Sequence, residues 1–271
     1  FKRFRGDQDI AIEDLTVGQM KDFQSYLIGE GLRMNTISLY NRELRAVYNY
    51  ALDEEIIQMD KRPFRKSFTG QEKTRKRAVD GGGVKRLAIL SLIDKEMLGF
   101  ARDLFLFSIY MQGMPFIDMA YLKKEQVRNG CITYQRRKTN RQLRVKIHPQ
   151  AQIIIDRYMV SDPGCPYLFP ILYDPEKKTE WEYSSALRVY NKRLDSLSSL
   201  LELDEPLTSY VARHTWASLA RQCGTSDTVI SEAMGHSHVG VTTIYLASLD
   251  IGMVAMANQR VITSLFRKRI P

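Results

Sequence analysis

Apolar residues recur at helical spacing along most of the chain, with one interruption by two-residue alternation. Met20, Phe23 and Leu27 follow Thr16-x-x-Gln19, which has the form of a capping box, and Gly29 and Gly31 then break the pattern. A second helix is predicted from Thr36 to about Glu54. Its stripe is Ile37, Tyr40, Leu44, Val47, Tyr48, Ala51 and Leu52, with Arg42 and Arg45 on the other face. Helical patterns resume over 84–93 and 97–112, the second so apolar that it reads as central, and Pro115 starts a short one. The period then changes. Cys131–Tyr134 and Leu143–Ile147 are β-prone runs around Arg136-Arg137-Lys138-Thr139-Asn140-Arg141, which predicts a hairpin with a basic tip. His148-Pro149 opens another helix, with Ala151, Ile154, Ile155 and Tyr158 on one face. Further helices are predicted at about 181–202, 209–222, 226–234, 240–247 and 249–264. The fold class is mainly α with a small β-sheet, in two domains.

The stretch between these patterns carries the charge. Residues 61–77 hold eight basic residues (Lys61, Arg62, Arg65, Lys66, Lys73, Arg75, Lys76, Arg77) against Glu72 alone, and Pro63 and Gly70 interrupt any helix. The predicted organisation is a helical domain over 1–64, a basic linker over 65–80 and a second domain over 81–271. The net charge of the 271 residues is +9. The linker stretch and the six bases of the hairpin (Arg136, Arg137, Lys138, Arg141, Arg144, Lys146) together exceed it, so the remainder is slightly acidic. Positive charge concentrated in two stretches predicts a polyanionic partner met by one lining of the molecule. With 44% hydrophobic and 26% charged residues, the chain is neither disordered nor fibrous. Cys131, Cys165 and Cys223 form no C-x-x-C pair and are expected as single buried thiols in a reducing cytoplasm. No apolar run reaches the roughly 18 residues of a membrane span. The opening Phe-Lys-Arg-Phe suggests a fragment that lacks an upstream domain.

Four elements of the second domain carry candidate chemistry: the hairpin tip, Tyr210-Val-Ala-Arg213, Met234-Gly235-His236, and Thr243-Ile244-Tyr245. Arg213 precedes His236 by 23 residues and His236 precedes Tyr245 by nine. In this order and spacing the chain resembles the tyrosine recombinases, or phage-type integrases. Their pattern is H-x-x-R, then Leu-Gly-His, then Tyr nine residues on, with a hairpin lysine matched here by Lys138. The phrases Asn35-Thr36-Ile37 and Leu44-Arg45-Ala46-Val47-Tyr48-Asn49-Tyr50-Ala51 resemble the family's SAM-like core-binding domain. The resemblance implies site-specific DNA recombination through a 3′-phosphotyrosyl link to Tyr245. Arg213 and His236 would serve the phosphate and Lys138 would act as general acid, while Asp118 would orient its neighbours. It further implies DNA contacts from Arg136, Arg137, Arg141, Asn35, Arg42, Arg45, Arg65, Lys66, Lys73, Arg75, Lys76 and Arg77. The expected partner is double-stranded DNA, held in a homotetramer through exchange of the tail after Tyr245, with accessory DNA-bending proteins allowed. The residue types suit this chemistry without the family: a phenol as nucleophile, a planar guanidinium fork on two phosphate oxygens, an imidazole that can donate to a non-bridging oxygen or help deprotonate the phenol, and an ammonium for the leaving oxygen. No metal-ligand spacing or P-loop is present, so no metal, ATP or other cofactor is expected.

Two positions depart from the pattern. The family's first catalytic arginine lies in Gly-x-Arg-x-x-Glu-Leu, but the phrase here is Gly113-Met114-Pro115-Phe116-Ile117-Asp118-Met119, with Pro115 at the arginine position. Gln112 is the nearest polar neighbour and a candidate phosphate ligand; Arg137, Lys123 and Lys124 are candidates for the missing charge. Tyr210 replaces the histidine of H-x-x-R and keeps a hydroxyl for the phosphate. Two other functions remain open at this point, a catalytically impaired DNA-binding protein and a type IB topoisomerase-like nicking enzyme.

Overall fold

A computed structural model of the chain describes residues 1–6, 8–72, 78–174 and 176–236. It falls into two compact units, Phe1–Arg75 and Lys76–Pro271.

The first unit is built on helices α1 (Val17–Gly29) and α2 (Met34–Asp53). Thr16 caps α1 as its sequence indicates: its hydroxyl accepts from the Gln19 amide at 3.2 Å and the Gln19 side chain accepts from the Thr16 amide at 2.8 Å. Met20, Phe23 and Leu27 bury their side chains against Ile37, Tyr48 and Ala51 of α2. Phe1 meets Phe23 edge-on and Phe4 meets it tilted, with ring centroids 4.9 and 5.4 Å away. The buried line of α2 differs from the predicted stripe. Tyr40 and Val47 are exposed, while Ser38 and Asn41 are buried beside Ile37. The reason is the segment that follows. Ser38 Oγ donates to the Gly70 carbonyl at 2.6 Å, Asn41 Nδ2 donates to the Phe68 carbonyl at 3.0 Å, and the Phe68 amide donates to Gln24 Oε1 at 2.8 Å. Asn35 exchanges two bonds with the backbone of Glu72, at 2.9 and 2.7 Å. Residues 68–72 therefore lie on α1 and α2, stitched down by neutral amides and a hydroxyl. A hydrophobicity pattern cannot register such contacts.

The second unit surrounds α4 (Glu96–Tyr110), whose buried residues occupy every face from Gly99 to Ile109. Around it pack α3 (Gly81–Ile89), α6 (Pro149–Tyr158), α7 (Tyr183–Leu200) and α8 (Val211–Gln222). The triple glycine forms the first turn of α3 under an Asp80 cap, so this helix starts earlier than predicted and stops at Ile89, short of residue 93. Asp103 of α4 is buried and satisfied by Arg102 Nε at 2.7 Å, Arg157 at 2.7 Å and the Tyr158 hydroxyl at 2.8 Å. Helix α5 (Phe116–Ala120) begins after Pro115. A three-stranded antiparallel sheet follows: β1 (Val127–Arg128), β2 (Cys131–Gln135) and β3 (Gln142–Lys146), with Ile132 opposite Val145 and Tyr134 opposite Leu143. The β2–β3 hairpin is the one predicted. β1 and the small pair β4 (Tyr173–Asp174) and β5 (Thr179–Glu180) are two residues each, too short to show a period. Helix α9 (Asp227–Ala233) closes the described chain, and the predicted helices at 240–247 and 249–264 lie outside the described residues. Of the three free cysteines only Cys165 is buried. Cys131 is half-buried and Cys223, at the end of α8, is exposed, so the expectation of three buried thiols fails for two of them. No described helix is long and apolar enough to cross a membrane.

Candidate active site

Three chain reversals meet in the second unit. The first ends α4. Ser108 holds it: its carbonyl accepts from the Gly113 amide at 2.8 Å and its hydroxyl donates to the Met114 carbonyl at 2.7 Å. Gln112 and Gly113 both take left-handed backbone, at φ 60° and 71°. A Cβ on Gly113 would stand 3.1 Å from the Arg213 Cα, so this position needs glycine for both conformation and space.

The second reversal enters α8. Tyr210 is its N-cap, half exposed, with its ring edge-on to His214 at 4.9 Å. Arg213 lies one turn in and is 2% exposed. Its guanidinium donates to the Gly113 carbonyl at 2.8 Å and to the Met234 carbonyl, and it lies 3.0 Å from His236 Nε2. A guanidinium has no acceptor, so Nε2 receives this bond and the neutral ring carries its proton on Nδ1.

The third reversal ends α9. Gly235 takes φ 63°; its amide donates to the Glu232 carbonyl and the His236 amide to the Ser231 carbonyl, the two bonds of a Schellman motif. This turn presents three successive carbonyls to three arginines. Met234 O receives Arg213, Gly235 O receives Arg136 at 2.9 Å, and His236 O receives Arg141 at 2.9 Å. Arg141 also pairs with Glu232. His236 is 3% exposed. The acid among these cations is Asp118 of α5, 4% exposed, with Oδ1 accepting the Arg137 amide at 3.0 Å and Oδ2 buried without a partner among the described residues. Burial raises its pKa above the ordinary carboxylate value, against the pull of the Arg137 amide, Arg136 and Arg213.

Residues 1–68 match the model of the phage integrase SAM-like domain, and residues 86–250 match the model of the phage integrase family. The chain belongs to the phage integrase family. These tyrosine recombinases are enzymes that cut and rejoin DNA in site-specific recombination. Two solved integrases share the fold. The Tn1549 transposon integrase in complex with circular intermediate DNA has a TM-score of 0.72 at 13% identity, over 94% of this chain and 89% of that one. A lambda integrase tetramer bound to a Holliday junction has a TM-score of 0.70 at 14% identity, over 90% of this chain and 68% of that one. No curated protein matches the chain in sequence.

The integrase structure brings Arg213, His236, Arg136, Arg141 and Asp118 to one place and leaves other candidates elsewhere. Lys138 is exposed at the hairpin tip. Gln112 is half-buried, and its side chain makes no hydrogen bond among the described residues. Arg136 was expected on the DNA-facing tip, but it is 5% exposed and turned inward. The signal for this was the strand period: Ile132 and Tyr134 face the core, and Arg136 continues their parity. Arg137 is exposed, with its guanidinium carbon 3.8 Å above the Tyr121 ring centroid. Asn35 is occupied by Glu72, whereas Arg42, Arg45, Arg65 and Lys66 are exposed on the first unit, and Arg45, Arg62 and Arg65 line one cleft there. Tyr245, Lys73, Arg75, Lys76 and Arg77 lie outside the described residues, as does the predicted tail. Among the described residues no group of three or more His, Cys, Asp and Glu side chains could hold a metal.

Proposed function

We propose that this integrase cleaves duplex DNA by attack of the Tyr245 phenolic oxygen on a phosphodiester held at Arg213 and His236. The new bond joins that oxygen to phosphorus as a 3′-phosphotyrosine. The phenolic proton passes to water, the bond to the 5′-oxygen breaks, and Lys138 gives that oxygen its proton. A 5′-hydroxyl from the partner strand reverses the step, so the phosphoester energy is conserved and no nucleotide is consumed. The single observation that carries this reading is the buried contact between Arg213 and His236, with Tyr245 nine residues further along the chain. Arg213 aligns the phosphate through its planar fork. Because His236 Nε2 accepts from Arg213, the ring serves as a donor through Nδ1–H rather than as a base toward the phenol. The exposed Arg42, Arg45, Arg65, Lys66 and Arg137, with Lys73, Arg75, Lys76 and Arg77, hold the DNA backbone.

The proposal includes a homotetramer on the DNA through exchange of the tail after Tyr245. The tetrameric state of the structurally similar lambda integrase supports it. It also includes a cytoplasmic location, in keeping with three free thiols. The test is covalent capture from a pool of nicked duplexes of randomised sequence. The wild-type protein forms a denaturation-resistant adduct and selects its site, and Tyr245→Phe forms none. Absence of an adduct with wild type, alongside DNA binding, overturns the reading in favour of a binding protein without cleavage.

A further inference from the structure

The family draws its first catalytic arginine from the position that here is Pro115, and nothing in the neighbouring sequence restores it. The structure holds a second buried guanidinium beside the first. Arg136 and Arg213 bind adjacent carbonyls of one turn, Gly235 O and Met234 O. Consecutive Cα atoms are about 3.8 Å apart, so the two guanidiniums dock on neighbouring peptide groups of one turn. The walls near Arg136 are dry: Ile132, Tyr134 and Leu143 are buried, and a Cβ on Gly235 would lie 3.4 Å from the Arg136 Cδ. Yet Arg136 Nε is buried without a hydrogen-bond partner among the described residues.

Two buried guanidiniums face one buried carboxyl, Asp118, which itself keeps one oxygen unpartnered. Desolvating such a cation is costly unless an anion compensates it. A buried guanidinium that leaves a donor unmade among the described residues is suited to an anion. The other candidates are engaged elsewhere. Arg137 lies over Tyr121, Lys124 Nζ donates to the Asp162 carbonyl at 2.6 Å, and Lys123 Nζ lies 3.7 Å from Glu125 at the surface. Gln112 carries no charge.

We propose that Arg136 is a catalytic residue: its guanidinium, set beside Arg213 by the turn at Met234–His236, supplies the scissile phosphate with the second positive charge that Pro115 cannot. The inference rests on the reading that Arg213 and His236 surround that phosphate. In the pentavalent transition state the non-bridging oxygens gain negative charge, and a fixed donor in a dry site acts there most strongly. The family's clamp is thus kept in space while its residue comes from the end of a strand instead of the start of a helix.

The experiment uses the duplex selected by covalent capture, nicked beside the scissile phosphate, in two forms. One carries the natural phosphodiester, and the other carries a methylphosphonate, which lacks the charged oxygen. Single-turnover adduct formation is measured at saturating DNA for wild type, Arg136→Ala and Arg136→Lys, each shown by its thermal melt to be folded. The proposal expects Arg136→Ala to lose about 10²–10³-fold on the phosphodiester and far less on the methylphosphonate. Arg136→Lys retains part of the rate. Equal losses on both substrates would make Arg136 a prop for the turn and overturn the proposal, as would an undiminished rate. If Arg136→Ala does not fold, the substrate dependence of Arg136→Lys decides on the same criterion. Failure of the underlying reading looks different: wild type forms no adduct, or Arg213→Ala cleaves as wild type does.

Discussion

The two units bury polar groups in opposite ways. In the helical unit the two most buried ones, Ser38 and Asn41, are neutral, and of their polar atoms only Asn41 Oδ1 lacks a partner among the described residues. Ser38, Asn41 and Gln24 meet the backbone of Phe68 and Gly70, and the bonds hold a chain segment in place. In the catalytic unit Ser108 and Ser198 are matched in the same way, but the polar groups beside the turns at Gly113 and Gly235 are charged and incompletely matched. Arg213, Arg136 and Asp118 lie under 6% exposed, and both Arg136 Nε and Asp118 Oδ2 lack a partner among the described residues. A neutral hydrogen bond contributes about 1 kcal/mol to stability, whereas a buried charge is costly whenever its partners fall short. The first arrangement serves the fold; the second gives up stability for a place where an anion fits. Asp103 is the control inside the same unit. It is as buried as Asp118, but three donors satisfy it, and it sits away from the turns at Gly113 and Gly235.

The comparison can be tested by separating rate from stability. The largest effect is expected on rate, at a residue that contributes nothing to packing. Lys138→Ala removes an exposed side chain, so the urea midpoint should stay put while adduct formation falls by about 10²–10⁴-fold. A substrate with sulfur in place of the 5′-bridging oxygen, whose leaving group needs no proton, should recover most of that loss. A loss equal on both substrates would deny Lys138 the role of acid.

Asp103→Ala should do the reverse. It leaves Arg102 largely buried without its carboxylate, at a cost of about 3 kcal/mol in urea unfolding, and the cleavage rate of the folded fraction should match wild type. Asn41→Ala comes next, at about 1–3 kcal/mol, because it frees the Phe68 carbonyl and one side of Gln24. Proteolysis near residues 68–72 should accelerate in this variant. An unchanged stability would mean that Ser38, Asn35 and Gln24 suffice to hold the segment.

Much of this was legible in the chain, and what was not has a physical reason. The helices carry their caps and stripes openly: Thr16 with Gln19, Pro149 after His148, the unbroken apolar run of α4. The motif spacing brought Arg213 and His236 together in advance of any geometry. The stitch by Ser38 and Asn41 was hidden because polar residues on a buried helix face look like solvent positions until their partners, 27 and 32 residues away, are in place. Arg136 was hidden differently. Six bases in one hairpin read as a surface, and only the parity shared with Ile132 and Tyr134 told it from its neighbours.

The smallest expected effect is on pH dependence, and it belongs to one unit. Burial is the main influence on Asp118 and raises its pKa, so the folded state holds this proton more tightly than the unfolded chain does. The associated stability is fully present below the ordinary carboxylate pKa and is lost as pH rises through the raised one. Ser38 and Asn41, the buried polar side chains of the helical unit's described part, do not titrate in that range. Above about pH 4 the slope of stability against pH should therefore be more positive in Asp118→Asn than in wild type, even though the absolute stabilities also differ. Asparagine keeps an oxygen for the Arg137 amide, so the hairpin remains anchored and only the titration is removed. Urea midpoints of the two proteins along that pH range measure the slope. Parallel curves would mean that Arg136 and Arg213 already hold the carboxylate ionised, and the cluster would then carry one positive charge in excess rather than two.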